Sequence, residues 1–272
     1  MTTMVPDLSV RDRTILVTGA SRGLGRAMAL GLLREGAKVI FASTGPSAAL
    51  DATLRSAQAC APEHHFAAVS GDVSCYDDCV RICEEATALF GPLDVLINNA
   101  AIPMAGEGPH FWEMDPQDWS RMTKINCDAV FYMCRAATPA MIERGSGKII
   151  NISTSERTMV RPRYSPYGPS KTFVEACSRI WAEELRGAGV TVNVLSPGGA
   201  VDTASDVTGV PTPGKSFLPA SVMIPPTLWL SSAASDGVSG ERYVASLWKE
   251  ESPLPDRISA ARQCGVDMPH IM

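Results

Sequence analysis

Short apolar runs rich in β-branched residues alternate along the chain with stretches whose apolar positions recur every three to four residues. The runs predict strands over Thr14–Thr18, Lys38–Ala42, Phe66–Val69, Leu93–Ile97, Lys148–Ile152 and Val190–Leu195, with Arg242–Ala245 as a candidate seventh. The helical stretches fall over Leu24–Glu35, Ala48–Ala59, Asp77–Phe90 and Tyr167–Arg186, with two more, or one bent element, over Pro116–Met141. Gly36 and Gly91-Pro92 stand where helices stop.

Strict strand–helix alternation implies right-handed βαβ crossovers and an α/β fold: a doubly wound parallel β-sheet of about seven strands with helices on both faces. Ligands of such sheets bind at the carboxyl ends of the strands. No repeat or linker divides residues 1–248, which read as one dinucleotide-binding and catalytic domain followed by a C-terminal extension, 249–272. That extension carries Pro253, Pro255 and Pro269, and reads either as a loose tail or as an arm packed on another part of the assembly. The stretch Thr203–Pro219, rich in Gly, Pro, Thr and Ser, reads as a mobile loop or lid.

The 272 residues are 45% hydrophobic and 19% charged, with a net charge of −5, enough apolar content for a large core. The absence of a basic run argues against nucleic acid as a partner. No 18-residue apolar run exists and no basic-then-apolar leader is visible, so neither a membrane span nor export is expected, and the reading is cytoplasmic. The eight cysteines then read as reduced thiols. Cys75, Cys79 and Cys83 share one helical face, read as core packing rather than a metal site because no histidine accompanies them. No metal is expected, and His64, His65, His110 and His270 receive no role.

The chemistry concentrates in two places. Thr18-Gly19-Ala20-Ser21-Arg22-Gly23-Leu24-Gly25 follows a strand and opens a helix, the context of a dinucleotide-binding turn. Gly19 allows the tight turn, Gly23 the close approach of a ligand, and Gly25 the packing of helix on strand; the helix N-terminus offers N–H groups to a pyrophosphate. Its Gly-x-x-x-Gly-x-Gly spacing differs from the commoner Gly-x-Gly-x-x-Gly, and no Gly-Lys-Ser/Thr follows, which excludes a Walker loop. Further on, Tyr167 and Lys171 stand four apart at the start of a helix and so share a face. A cation beside a phenol of pKa about 10 favours phenolate, so the pair is suited to pass a proton near neutral pH.

Taken in order, these motifs resemble those of the short-chain dehydrogenase/reductases, single-domain branch, over about residues 12–245. The glycine turn matches. So do Asp72-Val73, an adenine contact in the family; Asn98-Asn99-Ala100-Ala101 after the fourth strand, with Ala101 where glycine is usual; Asn126; Tyr167 with Lys171; Pro197-Gly198 after the sixth strand; and Thr203, a nicotinamide-side contact. The resemblance implies that Tyr167 exchanges a proton with the substrate oxygen, and that Lys171 lowers the phenol's pKa and holds the nicotinamide ribose. It gives Asn126 the anchoring of a proton-relaying water chain, and Asn99, Ala100, Pro197 and Gly198 places along the cofactor.

Two departures qualify it. Thirteen residues before the tyrosine, where the family has serine, stands Thr154; it keeps the hydroxyl but narrows the pocket, and Ser153 and Ser155 are rivals if the loop is shifted. The chain also runs 24 residues past Trp248, where relatives often end.

At the end of the second strand, Ser43 and Thr44 stand where an NAD-selective acid would be, and the resemblance places Arg22, otherwise a solvated surface arginine, to pair with a 2′-phosphate. NADP(H) is therefore favoured, with NAD(H) possible. The expected reaction is hydride exchange with a ketone or secondary alcohol, a small-molecule substrate. The alternatives are an inactive dinucleotide-binding sensor and a non-redox enzyme on the same scaffold. Arg157, Arg161 and Arg163 either greet an acidic substrate or form a solvated loop; Trp112, Met159 and Tyr164 either wall the pocket or pack the core. Relatives pair through their two long helices, here near 116–141 and 168–186, so a homodimer or homotetramer is expected.

Overall fold

In the computed structural model, which describes residues 7–104, 106–202 and 217–263, eight strands form one sheet in the order β3-β2-β1-β4-β5-β6-β7-β8. The strands are β1 Thr14–Thr18, β2 Lys38–Ser43, β3 Phe66–Ser70, β4 Val95–Asn98, β5 Gly147–Ile152, β6 Val190–Ser196, β7 Arg242–Val244 and β8 Arg262–Gln263. All pairings are parallel except β7 with β8, which is antiparallel. The order reverses between β1 and β4, so a crevice opens there at the carboxyl ends of the strands.

The helices are α1 Gly23–Arg34, α2 Ala48–Gln58, α3 Tyr76–Phe90, α4 Pro116–Thr123, α5 Ala129–Arg144, α6 Glu156–Met159, α7 Tyr167–Glu184, α8 Ile224–Ser231 and α9 Leu254–Ala261. They cover both faces, each with its own core. One core joins α1, α8 and the inward residues of the strands through Met28, Leu32, Val39, Ile97, Trp229 and Tyr243. The other joins α3, α5 and α7 through Cys79, Ile82, Val130, Met133 and Val174. The central strands β1, β4 and β6 are buried on both faces, which is why they read as continuous apolar runs. Gly36, at φ +86°, ends α1 in the left-handed region, as its position suggested.

The stretch from Pro116 is one bent element: α4 passes into α5 through a π-helical turn, Lys124–Asp128. Cys79 and Cys83 are buried, whereas Cys75 is exposed and stands before α3, so the three-cysteine face is only partly core. Among the described residues the sheet has eight strands, the two-residue β8 being added to the seven expected. The segment beyond Trp248 is neither a loose tail nor an arm reaching elsewhere as far as Gln263: Leu254, Ile258 and Ala261 of α9 pack on the α1 side, and β8 pairs along β7. Of the expected lid, Thr203–Pro219, residues 203–216 lie outside the described residues, and Thr203 with them.

Candidate active site

The glycine turn is forced by what lies behind it. Gly19 has φ +63°, and a Cβ there would stand 2.9 Å from Ala100 Cα. A Cβ on Gly25 would fall 2.5 Å from the Gly19 carbonyl oxygen and 2.4 Å from Asn99 Nδ2. The ends of β1 and β4 are laced together. Thr18 Oγ1 accepts from the backbone N–H of Asn99 and of Ala100, both at 3.0 Å, and Asn99 Nδ2 donates to the carbonyls of Thr18 (2.9 Å) and Gly19 (3.2 Å). Asn99 therefore holds the turn's shape. Gly23 has φ +58° and begins α1, whose N-terminus has no side-chain cap. First-turn N–H groups lack intrahelical acceptors, so this uncapped end, with no Cβ in the cradle, fits a pyrophosphate. Ser21 and Leu24 are half-buried in the turn, and the Arg22 side chain is exposed beside it. The Ser21 carbonyl accepts from Thr53 Oγ1 at 2.8 Å, fastening the turn to α2.

At the end of β2, Ser43 is half-buried and donates to the Gly45 carbonyl at 3.2 Å; Thr44 is exposed. After β3, Val73 is buried, and the exposed Asp72 shapes its own turn by accepting from Ser74 N at 2.9 Å. Beyond β6, Pro197 is buried and Gly198 has φ +86°, with no room for a Cβ against Ser246 and Val244.

The second cluster gathers at the carboxyl end of β5 and the start of α7. Thr154 is buried, and its hydroxyl works against the rise of the Tyr167 phenol above its ordinary value. Ser153 and Ser155 are turned to other work: Ser153 Oγ donates to Glu175 Oε1 at 2.6 Å, and Ser155 Oγ lies 2.8 Å from Thr158 Oγ1 in the first turn of α6. Lys171 is 3% exposed and its Nζ donates to the Ile152 carbonyl at 2.9 Å.

One expectation from the sequence changes here. Burial holds the Tyr167 phenol above its ordinary value, opposed by the Thr154 hydrogen bond; Lys171 is not among the groups acting on it. The phenol is thus raised, not lowered, and it is the lysine that moves, pushed down to about 8 by burial, with Cys127 and Glu175 working the other way. Asn126 sits in the π-helical turn and is fully buried. Its Oδ1 accepts from Ile102 N at 2.8 Å, and its Nδ2 donates to Ile102 O (3.0 Å) and Ser170 Oγ (3.2 Å). In this arrangement it ties the loop after β4 to α7, and both its amide hydrogens are engaged.

Of the loop residues, Met159 is buried, Trp112 is 67% exposed, and Tyr164 lies under the Arg161 guanidinium at 4.5 Å. Arg163 donates to the Gly108 carbonyl at 2.7 Å and pairs with Glu107 at 3.0 Å. These arginines therefore brace the loops. A surface cavity of about 530 Å³ between His110–Trp112 and Met159–Arg163 lies beside the site, but neither Thr154, Tyr167 nor Lys171 lines it.

The sequence did not reveal the buried pair Arg242–Glu175 (Nε–Oε1 3.0 Å), each side chain only 3–4% exposed. Nor did it reveal the amide chain in which Asn98 Nδ2 donates to Asn151 Oδ1 and Asn151 Nδ2 to Ser178 Oγ, both at 2.8 Å. Polar residues inside apolar strands were the available signal.

Residues 13–210 match the family profile of the short chain dehydrogenases. A short-chain type dehydrogenase/reductase of Picea abies is 35% identical over 190 residues, spanning 68% of this chain and 70% of its own. A 3-oxoacyl-[acyl-carrier-protein] reductase of Staphylococcus aureus is 33% identical over 194 residues, spanning 71% and 77%. A solved structure from Beutenbergia cavernae, provisionally described as an NAD(P)-dependent gluconate 5-dehydrogenase with NADP bound at low occupancy, superposes with a TM-score of 0.74 at 28% identity. It covers 89% of this chain and 97% of its own. The chain belongs to the short-chain dehydrogenase family. It is a nicotinamide-dependent oxidoreductase acting on CH–OH or carbonyl groups. Among the described residues no helix is long and apolar enough to cross a membrane.

Proposed function

We propose that the protein exchanges hydride between NADP(H) and a ketone or secondary alcohol, with Tyr167 as acid/base, Thr154 as the hydrogen-bond donor to the substrate oxygen, and Lys171 behind them. The observation that carries this reading is the buried Lys171 ammonium, one turn along α7 from Tyr167, donating to the Ile152 carbonyl at 2.9 Å beside the buried Thr154. It stands at the carboxyl end of the same sheet whose switch point carries the glycine turn. The nicotinamide, when bound, supplies or accepts the hydride. A phenol held above its ordinary value is protonated at neutral pH, the form that carbonyl reduction needs. Lys171, near 8, can hand on a proton close to neutrality. Thr154 donates to the substrate oxygen as negative charge gathers there.

NADP(H) is favoured over NAD(H) by the hydroxyls of Ser43 and Thr44 where a carboxylate would repel a 2′-phosphate, and by the exposed Arg22 beside the turn. The neighbour from Beutenbergia cavernae contains NADP, which agrees with this choice. Phe131 of α5 and Phe173 and Ile180 of α7 are 43–55% exposed, an apolar face suited to a homodimer or homotetramer. The described cysteines are all free, consistent with a reducing, cytoplasmic setting.

Absorbance of the reduced nicotinamide, followed with a panel of ketones, 3-oxoacyl thioesters and sugar acids, tests the reading. Oxidation of NADPH with at least one of them, at a higher kcat/KM than with NADH, is the expected result. Tight NADPH binding without turnover on any would replace the enzyme reading with that of a sensor.

A further inference from the structure

We propose that Arg242 and Glu175 are a positioning pair that fixes the chain at Ser153-Thr154 and so sets the Thr154 hydroxyl against Tyr167, with Gln263 as the outer brace. This rests on the hydride-transfer reading above for its catalytic meaning, though not for its geometry.

Arg242 reaches inward from β7, 3% exposed. Its guanidinium uses every edge. Nε donates to Glu175 Oε1 at 3.0 Å, Nη2 to the Thr154 carbonyl at 3.0 Å, and Nη1 to Gln263 Oε1 at 3.3 Å, with Glu156 Oε1 3.6 Å away. Glu175 Oε1 also accepts from Ser153 Oγ at 2.6 Å. Two consecutive residues are thus gripped, Ser153 by its side chain and Thr154 by its main chain. The Thr154 side chain takes no part in either grip, and its hydroxyl is the group that opposes the rise of the Tyr167 phenol. Only a planar fork can hold three partners in fixed directions; an ammonium on a flexible stem cannot.

The pair is a poor device for stability alone. Burying two charges offsets much of their attraction, and apolar residues of similar volume often serve as well. Glu175 Oε2 is moreover buried without a partner, so the carboxylate is not fully satisfied. Glu175 also lies one turn beyond Lys171 on α7, and its charge helps keep that lysine protonated. One pair therefore touches the surroundings of both Thr154 and Lys171. Gln263 belongs to β8, so the segment beyond Trp248 bears on the site through Arg242.

The test compares Arg242→Lys, Gln263→Ala and Thr154→Ala with wild type by two measurements. The first is steady-state kinetics with NADPH. The second needs no substrate: titration of Tyr167 by NMR of ring-labelled tyrosine, assigned with Tyr167→Phe. Thr154 lowers and Tyr164 raises the titration of the phenol, so loosening Thr154 should raise its midpoint. Arg242→Lys is expected to lower kcat roughly ten- to a hundredfold while the NADPH dissociation constant and melting temperature stay near wild type. Its Tyr167 midpoint should move toward that of Thr154→Ala, and Gln263→Ala should shift it less, in the same direction. A wild-type Tyr167 titration in folded Arg242→Lys overturns the proposal, as does a kcat loss equal to the loss of folded protein. Should Arg242→Lys fail to fold, an unmoved Tyr167 in Gln263→Ala overturns it instead. Absence of turnover in wild type would defeat the hydride-transfer reading, and the tyrosine titration would still decide the pair.

Discussion

Lys171 Nζ donates to the carbonyl oxygen of Ile152 at 2.9 Å, which pins α7 to the last residue of β5 and buries an ammonium with one backbone acceptor. That burial brings the lysine down to about 8 from 10.5. The sign of the consequence is fixed. Between those two values the unfolded chain holds a proton that the folded chain has released, so the lysine's contribution to stability rises with pH across that window. Below it, the penalty for the buried charge is fully present. Lys171→Met should therefore be more stable than wild type at pH 7, with the gap shrinking as pH rises through about 8 toward 10.5. Urea midpoints across that range check it; a gap that does not change with pH would show that the lysine's charge costs the fold nothing.

Tyr167→Phe removes the proposed proton donor and keeps the ring. Turnover should fall about 10²- to 10⁴-fold, the usual worth of a positioned acid or base. NADPH binding, followed by fluorescence, should stay within about a factor of three, since hydride and proton roles are separable. A variant that keeps wild-type kcat would remove the tyrosine from the reaction.

Thr154 offers a graded test. Thr154→Ser keeps the hydroxyl and should retain most of kcat, whereas Thr154→Ala should lose about 10²-fold or more, as the loss of a preorganised donor does. If serine were as damaging as alanine, the methyl and its packing would matter rather than the hydrogen bond. The flanking serines cannot stand in: Ser153 faces Glu175 and Ser155 faces Thr158.

The central strands were legible because burial on both faces leaves unbroken apolar runs, and the glycine turn because Gly19 and Gly25 face backbone that no side chain could clear. The missed elements have physical causes. Helix α8 carries Pro225 and Pro226 in its first turn, where proline is tolerated, so residues that read as breakers are its start. Strand β8 has two residues, too few for any alternation to show. In the site, the spacing of Tyr167 and Lys171 gave their common face, but not the depth of burial that raises one and lowers the other. Arg242 and Glu175 are 67 positions apart, and nothing local ties an arginine in a strand to a glutamate in a helix.

The proposed preference for NADP(H) leans on Arg22. Its side chain is exposed beside the uncapped N-terminus of α1. Arg22→Ala should raise KM for NADPH roughly tenfold or more, the worth of one charge-assisted hydrogen bond to a phosphate, and leave KM for NADH nearly unchanged. An equal effect on both would assign the arginine to the turn's structure and remove it from cofactor choice.

Gly25→Ala tests the turn itself. The added methyl would meet the Gly19 carbonyl oxygen at 2.5 Å and Asn99 Nδ2 at 2.4 Å. The amide can swing away only by giving up its bonds to Thr18 O and Gly19 O. The carbonyl can move only by opening the turn. The fold should lose about 1–3 kcal/mol, as overpacking usually costs. Affinity for NADPH and NADH should fall together, because the pyrophosphate cradle is common to both. Calorimetric melting and titration with each nucleotide separate the two effects; wild-type affinity for both nucleotides would mean that the cradle lies elsewhere.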